Sequence, residues 1–478
     1  MMIKNNIKKF VGLLSSGARF AAVSLIFGAA VATVSASPRY VFYFIGDGMG
    51  FNHVLNAQLY KTEVLGSDST LTMLNFPVAS MARTHSASSR VTDSSAAGTA
   101  LATGHKTLNG MLGMNPDTVA VTSIAKQIFD KGWGIGIITS VAIDDATPGA
   151  FYAHVPNRHE YMTIGRQLAE SGYQFAAGAG LRAARDNDGK RTPLLDYFAE
   201  KGVVVASGRE GLDVVTNKRM LLLSGDTVKT WNVGYTIDSV AGALTLPEMT
   251  ATGLRHMQSV CPERFFMMVE GGNIDHAGHA NDGGTIVREV INFDESLRLA
   301  YEFYLAHPDE TLIVVTADHE TGGMSMGTNA TGYSVRPQVV AGQKVSKEVF
   351  REYVQSLAKN RRIYRWPDME EYLAENLGLG TTFKLTDAET AELSKMFDDM
   401  MAGRNSASDQ KTLYATFDGF SARVFELLNS KAGYGFPTVN HTGAAVPVFA
   451  IGVGAEKFSN VNDNTDLPHK ILSIIEED

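Results

Sequence analysis

The chain has little cysteine, proline or charge. It holds one cysteine among 478 residues, which excludes an internal disulfide framework and any zinc module built from several cysteines. The 14 prolines are few beside the 46 glycines, a balance that predicts many tight backbone turns. Charged residues make up 19% and apolar residues 44%, so the composition is that of a globular chain and excludes a disordered one.

The N-terminal segment lacks acidic residues, and Asp47 is the first in the chain. Basic residues come first, at Lys4, Lys8, Lys9 and Arg19. An apolar run, Phe20–Val34, follows, and Val34-Ser35-Ala36 then offers small residues at the two positions that a signal peptidase reads. We therefore predict a secretory signal peptide over residues 1–36 and an exported mature chain, either periplasmic or secreted. The alternative, a membrane anchor, needs about 20 apolar residues, more than this run offers.

Negative charge dominates the predicted mature chain. The formal net charge of the full sequence is −9, and cleavage after Ala36 would remove only basic charges. A strongly acidic protein is a poor partner for nucleic acids and for anionic membrane surfaces, so no specific binding to nucleic acid is expected. Because no second stretch is long and apolar enough to span a bilayer, we also expect no membrane span in the mature chain.

Short apolar runs alternate with helical patterns after residue 37. The predicted strands are Tyr40–Ile45, Gly134–Val141, Phe265–Val269, Leu312–Thr316 and Val446–Val453, with weaker candidates at Val203–Ala206 and Met220–Leu223. Helical patterns such as Val119–Lys131 and Gly284–Leu305 lie between them. The alternation predicts a single α/β domain over residues 37–478, with a doubly wound, mostly parallel sheet flanked by helices.

The stretch from about residue 325 to residue 438 breaks this alternation. It contains three plausible surface helices, Val349–Ala358, Met369–Asn376 and Asp387–Met401. We interpret it as a helical insertion in the main domain rather than as a separate enzyme. A lid, a subunit contact and a crown over the site are all compatible with its sequence.

Polar residues follow the predicted strands, at the edge where parallel sheets bind their ligands. In chain order they are Asp47, Asp145, Thr147, Glu270, Asp275, His279, Asp318 and His319, and His441 stands just before the last strand. One acidic residue at a strand end is commonplace. Several such clusters converging on one edge predict a polynuclear metal site.

The spacing within these clusters suits metal coordination. Asp275 and His279 would share one face of a helical turn, and Asp318-His319 offers an oxygen and a nitrogen from one loop. Mixed imidazole and carboxylate ligands suit zinc, whereas an all-oxygen set suits magnesium, and the residues suffice for two sites of the first kind and one of the second. Taken alone, each histidine is better explained as a hydrogen-bonded structural residue; their combination favours metal binding.

Two further residues fit phosphate chemistry. Ser94 stands in Thr92-Asp93-Ser94-Ser95-Ala96, where a polar start followed by small residues predicts a helix N-terminus. Unpaired amides at such an end attract phosphate, and a serine beside a metal ion can become a nucleophile. Arg158 could clamp two phosphate oxygens with its planar guanidinium group. Alone, Ser94 would be a plain capping residue and Arg158 a surface arginine.

Six segments resemble those of the alkaline phosphatase family, in the family's order. They are FIGDGMG (44–50), TDSSAAGTALATGHKTLNG (92–110), DATPGAFYAHVPNR (145–158), VEGGNIDHAGH (269–279), TADHETGG (316–323) and NHTG (440–443). Together they span about 400 residues, and the ordered set is far more specific than any one segment. The resemblance implies the family's fold and metal-dependent hydrolysis of phosphate monoesters.

The resemblance implies a role for each matching residue. Ser94 matches the phosphorylated nucleophile, and Arg158 matches a phosphate clamp that Asp93 orients. The family's ligands of the zinc that activates the nucleophile correspond to Asp47, Asp318 and His319. The ligands of a second zinc, which would hold the leaving-group oxygen and then the attacking water, correspond to Asp275, His279 and His441. The ligands of the magnesium ion correspond to Asp47, Thr147 and Glu270.

Two positions vary across the family. Asp145 keeps a carboxylate that some members have near magnesium, and His276, beside the substrate, stands where some members have lysine. This pairing leaves the occupant of the third metal site and the pH optimum open. The resemblance also suggests a homodimer. Contacts to the phosphoryl group alone would leave the alcohol nearly free, so a broad range of phosphate monoesters is expected.

Other function classes fit parts of the sequence. A sulfatase or phosphodiesterase would use a similar metal-binding core, but Ser94 lacks the Cys/Ser-x-Pro-x-Arg setting of a sulfatase. A non-catalytic exported protein that captures metal or phosphate would keep the ligands without needing Ser94 or Arg158, and both are present. An adhesion or scaffold role for residues 325–438 has no specific support in their sequence.

Overall fold

Strands between Tyr40 and Asp463 form the main sheet. The computed structural model describes residues 37–186, 188–225, 231–359, 364–404 and 408–476. The strands within them are β1 (Tyr40–Ile45), β2 (Val78–Arg83), β3 (Gly134–Thr139), β4 (Phe175–Gly178), β5 (Val204–Ser207), β6 (Met220–Leu223), β7 (Phe265–Glu270), β8 (Thr311–Thr316), β9 (Glu320–Thr321), β10 (Ser325–Met326), β11 (Gln410–Lys411), β12 (Thr416–Phe417), β13 (Tyr434–Gly435), β14 (His441–Thr442), β15 (Val446–Gly452) and β16 (Asn462–Asp463). Ten of these described strands form one sheet in the order β16-β2-β15-β8-β1-β7-β3-β4-β6-β5.

The sheet is parallel except around β15, which runs antiparallel to both β8 and β2. Strand β1 lies between β7 and β8, and its last residue, Ile45, pairs with Glu270 on one side and with Thr316 on the other. The carboxyl ends of these three strands therefore meet at one edge of the sheet. The predicted α/β fold with a mostly parallel sheet is confirmed.

Helices follow most of the strands. They are α1 (Phe51–Glu63), α2 (Ser94–Thr103), α3 (Ile124–Asp130), α4 (Ala146–Gly149), α5 (Tyr161–Glu170), α6 (Leu194–Glu200), α7 (Gly208–Gly211), α8 (Leu246–Val260), α9 (Asn273–Ala280), α10 (Gly283–Ala306), α11 (Lys347–Lys359), α12 (Trp366–Leu377), α13 (Asp387–Met401), α14 (Gly419–Ala432) and α15 (Asp466–Ile475). Short 3₁₀ turns lie at Thr72–Asn75, Arg182–Ala184, Thr236–Asp238, Pro337–Gly342 and Ala455–Phe458.

Strand β1 shows how helices cover both faces of the sheet. Its successive side chains point to opposite faces, as in any strand. Phe42 and Phe44 pack against aromatic rings of α10, with ring centroids 5.5 and 5.7 Å apart. Tyr43, between them, instead packs against Phe151, just after α4, at 6.2 Å. All of β1 is buried, which explains its continuous apolar run in the sequence.

One predicted helix is wrong in its first half. The pattern Val119–Lys131 predicted a single helix, but α3 begins only at Ile124. The side chain of Ser123 caps it by accepting a hydrogen bond from the amide of Lys126. Before that cap the backbone turns through Thr118, which has a left-handed φ of 61°, so the apolar residues there lie in a loop.

The described strands of residues 325–438 lie outside the main sheet, and the two ends of this segment pair with each other. Strand β10, at the start of this segment, pairs antiparallel with β13, near its end. Between them lie helices α11 to α14 and the small β11–β12 hairpin. Helix α12 begins at Trp366, three residues before the predicted helix Met369–Asn376, and Pro367 fits its first turn.

The predicted signal peptide, residues 1–36, lies outside the described residues. In the part of the chain that is described, no helix combines the length and the apolar character needed to cross a membrane.

Candidate active site

Strand ends bring the predicted site residues together, as the sequence indicated. Asp47 follows β1, Glu270 is the last residue of β7, and Asp318 lies two residues after the end of β8. His441 comes from the last part of the chain on β14, which pairs antiparallel with β9, just after Asp318. All four lie at the edge where the carboxyl ends of β1, β7 and β8 meet.

The first cluster consists of Asp47, Asp318 and His319, and all three are buried. The His319 Nε2 atom lies 3.2 Å from Asp318 Oδ2 and 3.4 Å from Asp47 Oδ1. One candidate ligand atom from each residue lies within 4.8 Å of the others. Asp47 Oδ1 and Asp318 Oδ2 are buried without a hydrogen-bond partner, so both oxygens are free to bind a cation.

The second cluster consists of Asp275, His279 and His441. Helix α9 presents Asp275 and His279 one turn apart, which confirms the predicted helical spacing. The His279 Nε2 atom lies 3.4 Å from Asp275 Oδ2, and the His441 Nε2 atom lies 3.6 Å from Asp275 Oδ1. The two Nε2 atoms are 3.1 Å apart. His319 also lies within reach of Asp275 and His441, so the two clusters adjoin.

Each of the three imidazole rings is held by a contact at its Nδ1 atom. The Nδ1 atom of His279 contacts the carbonyl of Val439, and that of His441 contacts the carbonyl of Thr92. In His319, Nδ1 contacts the hydroxyl of Thr321. Each ring is thereby held with Nε2 toward the carboxylates, the arrangement that metal-binding histidines have in proteins.

The third predicted set is Asp47, Glu270 and Thr147. Glu270 accepts a hydrogen bond from the hydroxyl of Thr139 and lies close enough to Asp47 to interact with it electrostatically. Thr147 lies in α4, and its hydroxyl is buried without a hydrogen-bond partner. These are oxygen donors, as a magnesium site requires.

The pKa values of these carboxyl groups indicate buried negative charge that a cation would compensate. Burial, followed by the repulsion of neighbouring carboxylates, raises the pKa of Asp47 well above its usual range. The same causes raise the pKa of Glu270 to about 8 and that of Asp318 to about 7. Burial opposes the charge of Asp275 too, but the nearby His279 and His441 hold its pKa well below its usual range. Divalent cations would compensate the buried negative charge.

Ser94 is placed beside the first cluster by a helix end. It is the first residue of α2, and the Asp93 side chain caps that helix by accepting from the amide of Ala96. The Ser94 hydroxyl oxygen lies 3.2 Å from His319 Nε2. The predicted helix N-terminus is confirmed, and it directs its free amides toward the site.

Arg158 lies between two carboxylates. Its Nη1 atom is 3.5 Å from Asp93 Oδ2, and its Nη2 atom is 3.2 Å from Asp145 Oδ1. Asp93 Oδ2 also accepts from the hydroxyl of Ser95 and from the amide of Gly110. The guanidinium group is thus fixed close to Ser94.

Sequence reasoning missed Arg182, a second arginine at Asp145. Its Nη2 atom donates to Asp145 Oδ2 at 2.6 Å, and its Nε atom donates to the same oxygen at 3.1 Å. Although burial opposes the charge of Asp145, Arg182 and Arg158 hold its pKa well below its usual range. Asp145 therefore forms ion pairs with two arginines and belongs to neither carboxylate–imidazole cluster. The position of Arg182 just beyond the carboxyl end of β4 would have indicated it, but β4 was not among the predicted strands.

His276 follows Asp275 on α9 and is buried. Its Nδ1 atom is 3.3 Å from the side-chain amide nitrogen of Asn232, so it contacts neither Arg158 nor its carboxylates in the described hydrogen bonds. Burial lowers its pKa to about 4. The ring of Tyr414, from the 325–438 segment, packs on His276 with centroids 3.9 Å apart. Sequence reasoning missed Tyr414, because nothing in the pattern of that segment pointed to the site.

Known proteins share this arrangement of segments. A family model described as alkaline phosphatase matches residues 38–178 and 183–476. The chain is 27% identical to alkaline phosphatase 4 of Bacillus subtilis, over 92% of this chain and 89% of that protein. It is 28% identical to the repressible alkaline phosphatase of Saccharomyces cerevisiae, over 93% of this chain and 86% of that protein.

Solved structures agree with these relatives. The crystal structure of a cold-active alkaline phosphatase from a psychrophilic Shewanella is similar with a TM-score of 0.76 and 26% identity, covering 91% of this chain and 99% of that one. The alkaline phosphatase of Thermus thermophilus is similar with a TM-score of 0.72 and 25% identity, covering 92% of this chain and 91% of that one. The chain belongs to the alkaline phosphatase family of phosphomonoester hydrolases.

Proposed function

We propose that this protein hydrolyses phosphate monoesters through a phosphoserine formed at Ser94. The observation that carries the proposal is the position of the Ser94 hydroxyl, 3.2 Å from His319 in the first cluster and at the N-terminus of α2. A phosphoryl group bound there would meet free helix amides and buried, cation-binding side chains. Its alcohol part would contact little of the protein, so the substrate range is broad.

The donor sets indicate which residues hold metal ions. One zinc ion suits Asp47, Asp318 and His319. A second zinc ion suits Asp275, His279 and His441, whose ligand atoms lie within 3.1–3.6 Å of one another in pairs. The oxygens of Asp47, Glu270 and Thr147 suit a magnesium ion. When bound, such cations supply positive charge at the entering and leaving oxygens of an in-line displacement.

The side chains of this chain account for positioning and covalent chemistry. Ser94 Oγ attacks phosphorus, which forms the serine phosphate ester and breaks the bond to the substrate's alcohol. Water then attacks the same phosphorus, which frees inorganic phosphate and restores the serine hydroxyl. Arg158 donates two N–H groups to phosphoryl oxygens while Asp93 and Asp145 keep its guanidinium plane in place. Because phosphoryl transfer has a loose transition state, such positioning supplies most of the catalysis.

Hydrolysis of p-nitrophenyl phosphate at alkaline pH tests the proposal. We expect activity that EDTA removes and that zinc plus magnesium restores. Two other compounds, p-nitrophenyl sulfate and the phosphodiester bis(p-nitrophenyl) phosphate, are assayed in parallel and should be poor substrates. Faster cleavage of either one would favour a sulfatase or phosphodiesterase. Stoichiometric phosphate binding without product would favour a binding protein.

Export and assembly complete the proposal. The N-terminal pattern of residues 1–36 supports cleavage of a signal peptide after Ala36. Family resemblance supports a homodimer. N-terminal sequencing of the mature protein and light scattering coupled to size exclusion test these two expectations separately.

A further inference from the structure

One hairpin of the 325–438 segment reaches the metal-binding clusters. Strands β11 and β12 pair antiparallel, and the turn between them carries Tyr414. The Tyr414 hydroxyl donates to Asp275 Oδ2 at 3.0 Å. Its ring centroid lies 3.9 Å from that of His276 and 5.2 Å from that of His279. A single side chain therefore contacts three residues of α9.

Two hydroxyl groups from different elements hold the Asp275 carboxylate. Thr321 donates to Oδ1, the oxygen that faces His441, and Tyr414 donates to Oδ2, the oxygen that faces His279. Rotation of the carboxylate would break both hydrogen bonds. Loss of the Tyr414 hydroxyl alone would free the side of Asp275 that faces His279.

The hairpin is itself anchored to α9. Lys347, which is buried with 1% exposure, donates to the carbonyl of Ala280 at 2.8 Å and to Gln410 Oε1 at 2.6 Å. Ala280 is the last residue of α9, and Gln410 is the first of β11. The Lys347 ammonium also lies 4.6 Å from the ring centroid of Phe417, the last residue of β12. Both ends of the hairpin are thus tied to the helix that Tyr414 contacts at its other end.

We propose that Tyr414 is a positioning residue for the Asp275–His279–His441 cluster and that the β11–β12 hairpin holds this cluster in its metal-binding geometry. The inference rests on the proposed function, since it assigns a metal ion to that cluster. Hydrogen bonds that orient metal-binding side chains contribute about 10- to 100-fold in metal affinity or activity. The insertion then acts on the site of its own chain.

The test compares Tyr414→Phe with the wild-type protein and with Tyr372→Phe. The control removes a hydroxyl from α12 of the same segment, where the Tyr372 ring stacks on Tyr353. Zinc release is titrated with a chelator of graded affinity. We expect one zinc of Tyr414→Phe to bind about tenfold more weakly, while the other zinc and the control match the wild type. The variant should lower the melting temperature of the zinc-loaded protein more than that of the zinc-free protein, whereas the loss of a purely structural tyrosine would lower both equally.

A second variant, Gln410→Ala, tests the anchor without touching the site. It removes Gln410 Oε1, one of the two acceptors of Lys347. It should weaken binding of the same zinc ion, though by less than Tyr414→Phe does. Zinc release curves of both variants that coincide with the wild type would overturn the inference. Wild-type protein without metal-dependent hydrolysis would instead contradict the proposed function, and the zinc titration would still decide the role of Tyr414.

Discussion

In the proposed mechanism, the reaction depends first on the Ser94 hydroxyl. Ser94→Ala is expected to reduce turnover of p-nitrophenyl phosphate at least about a thousandfold, because no other atom at this position can form the phosphate ester. Its zinc and magnesium content, measured by mass spectrometry, should not change, since the two clusters are built from other residues. The exposed Ser69→Ala is the matched control. Turnover retained in Ser94→Ala would place the nucleophile elsewhere.

In the proposed mechanism, Arg158 contributes more to phosphate binding than to bond cleavage. Arg158→Ala is expected to weaken competitive inhibition by inorganic phosphate about 10- to 100-fold, the range for losing hydrogen bonds from a charged group. The exposed Arg166→Ala removes the same charge without contacting the Asp93 and Asp145 carboxylates and should leave the inhibition constant unchanged. An unaltered inhibition constant in Arg158→Ala would refute the clamp.

The sequence predicted the inner part of the site better than its outer part. Asp47, Glu270 and Asp318 could be found because the ends of parallel strands meet at one edge, a rule that needs no side-chain detail. Arg182 escaped because β4, with the short run Phe175–Gly178, gives too weak an apolar signal to be read as a strand. Tyr414 escaped for another reason, since long-range packing of an insertion leaves no local pattern.

Among the structural elements, the loop from β1 to α1 fits against α9 only with glycine. Gly48 has a left-handed φ of 72°, and a Cβ there would lie 2.9 Å from the Asp275 Cα atom. Gly48→Ala is therefore expected to displace Asp275 and to reduce both zinc retention and activity. Gly66→Ala is the matched control, because Gly66 has a φ of 63° but a Cβ there would meet no atom within 4 Å. Both variants carry backbone strain of about 1–2 kcal/mol; equal activities would contradict the close-approach argument.

Burial explains which elements could be predicted. Strands β1 and β6 lie where their continuous apolar runs indicated, since both are buried on each face. Strand β2 was not predicted, because its exposed face carries the apolar residues Ala79 and Met81, so its sequence shows no apolar–polar alternation. Helix α3 is shorter than its pattern, since a capping serine outweighs the apolar residues before it.

At the scale of the whole molecule, a negatively charged protein must attract a negatively charged substrate. The formal net charge is −9, and the site itself gathers buried carboxylates. Arg158 and Arg182 both lie on Asp145 and so compensate only part of that charge. We therefore expect phosphate binding to depend on the charge of metal ions held at the sheet edge. The local electric field of such ions would outweigh the net negative charge of the protein in attracting the substrate.

Removing the metal ions should make the stability of the whole protein depend on pH. In the metal-free protein the pKa of Glu270 is raised from 4.5 to about 8, and that of Asp318 from 3.8 to about 7. A folded-state pKa above the unfolded value means that the folded protein holds protons that the unfolded chain has released. Buried histidines of the site, whose pKa values are lowered, oppose this trend below about pH 6.5, where only the unfolded chain protonates them. Between about pH 6.5 and pH 8, the free energy of unfolding therefore falls as pH rises, by an amount on the order of a few kcal/mol.

Thermal unfolding of EDTA-treated protein at pH 7 and pH 8.5 measures this effect. The melting temperature should be lower at pH 8.5, and zinc plus magnesium should restore it, because bound cations stabilise the ionised carboxylates. Glu270→Gln, which keeps an acceptor for Thr139 but cannot ionise, should flatten the dependence in the metal-free protein. A melting temperature that rises with pH after EDTA treatment would show that the cluster carboxylates are ionised without metal, and metal charge would then not be what holds this edge of the sheet together.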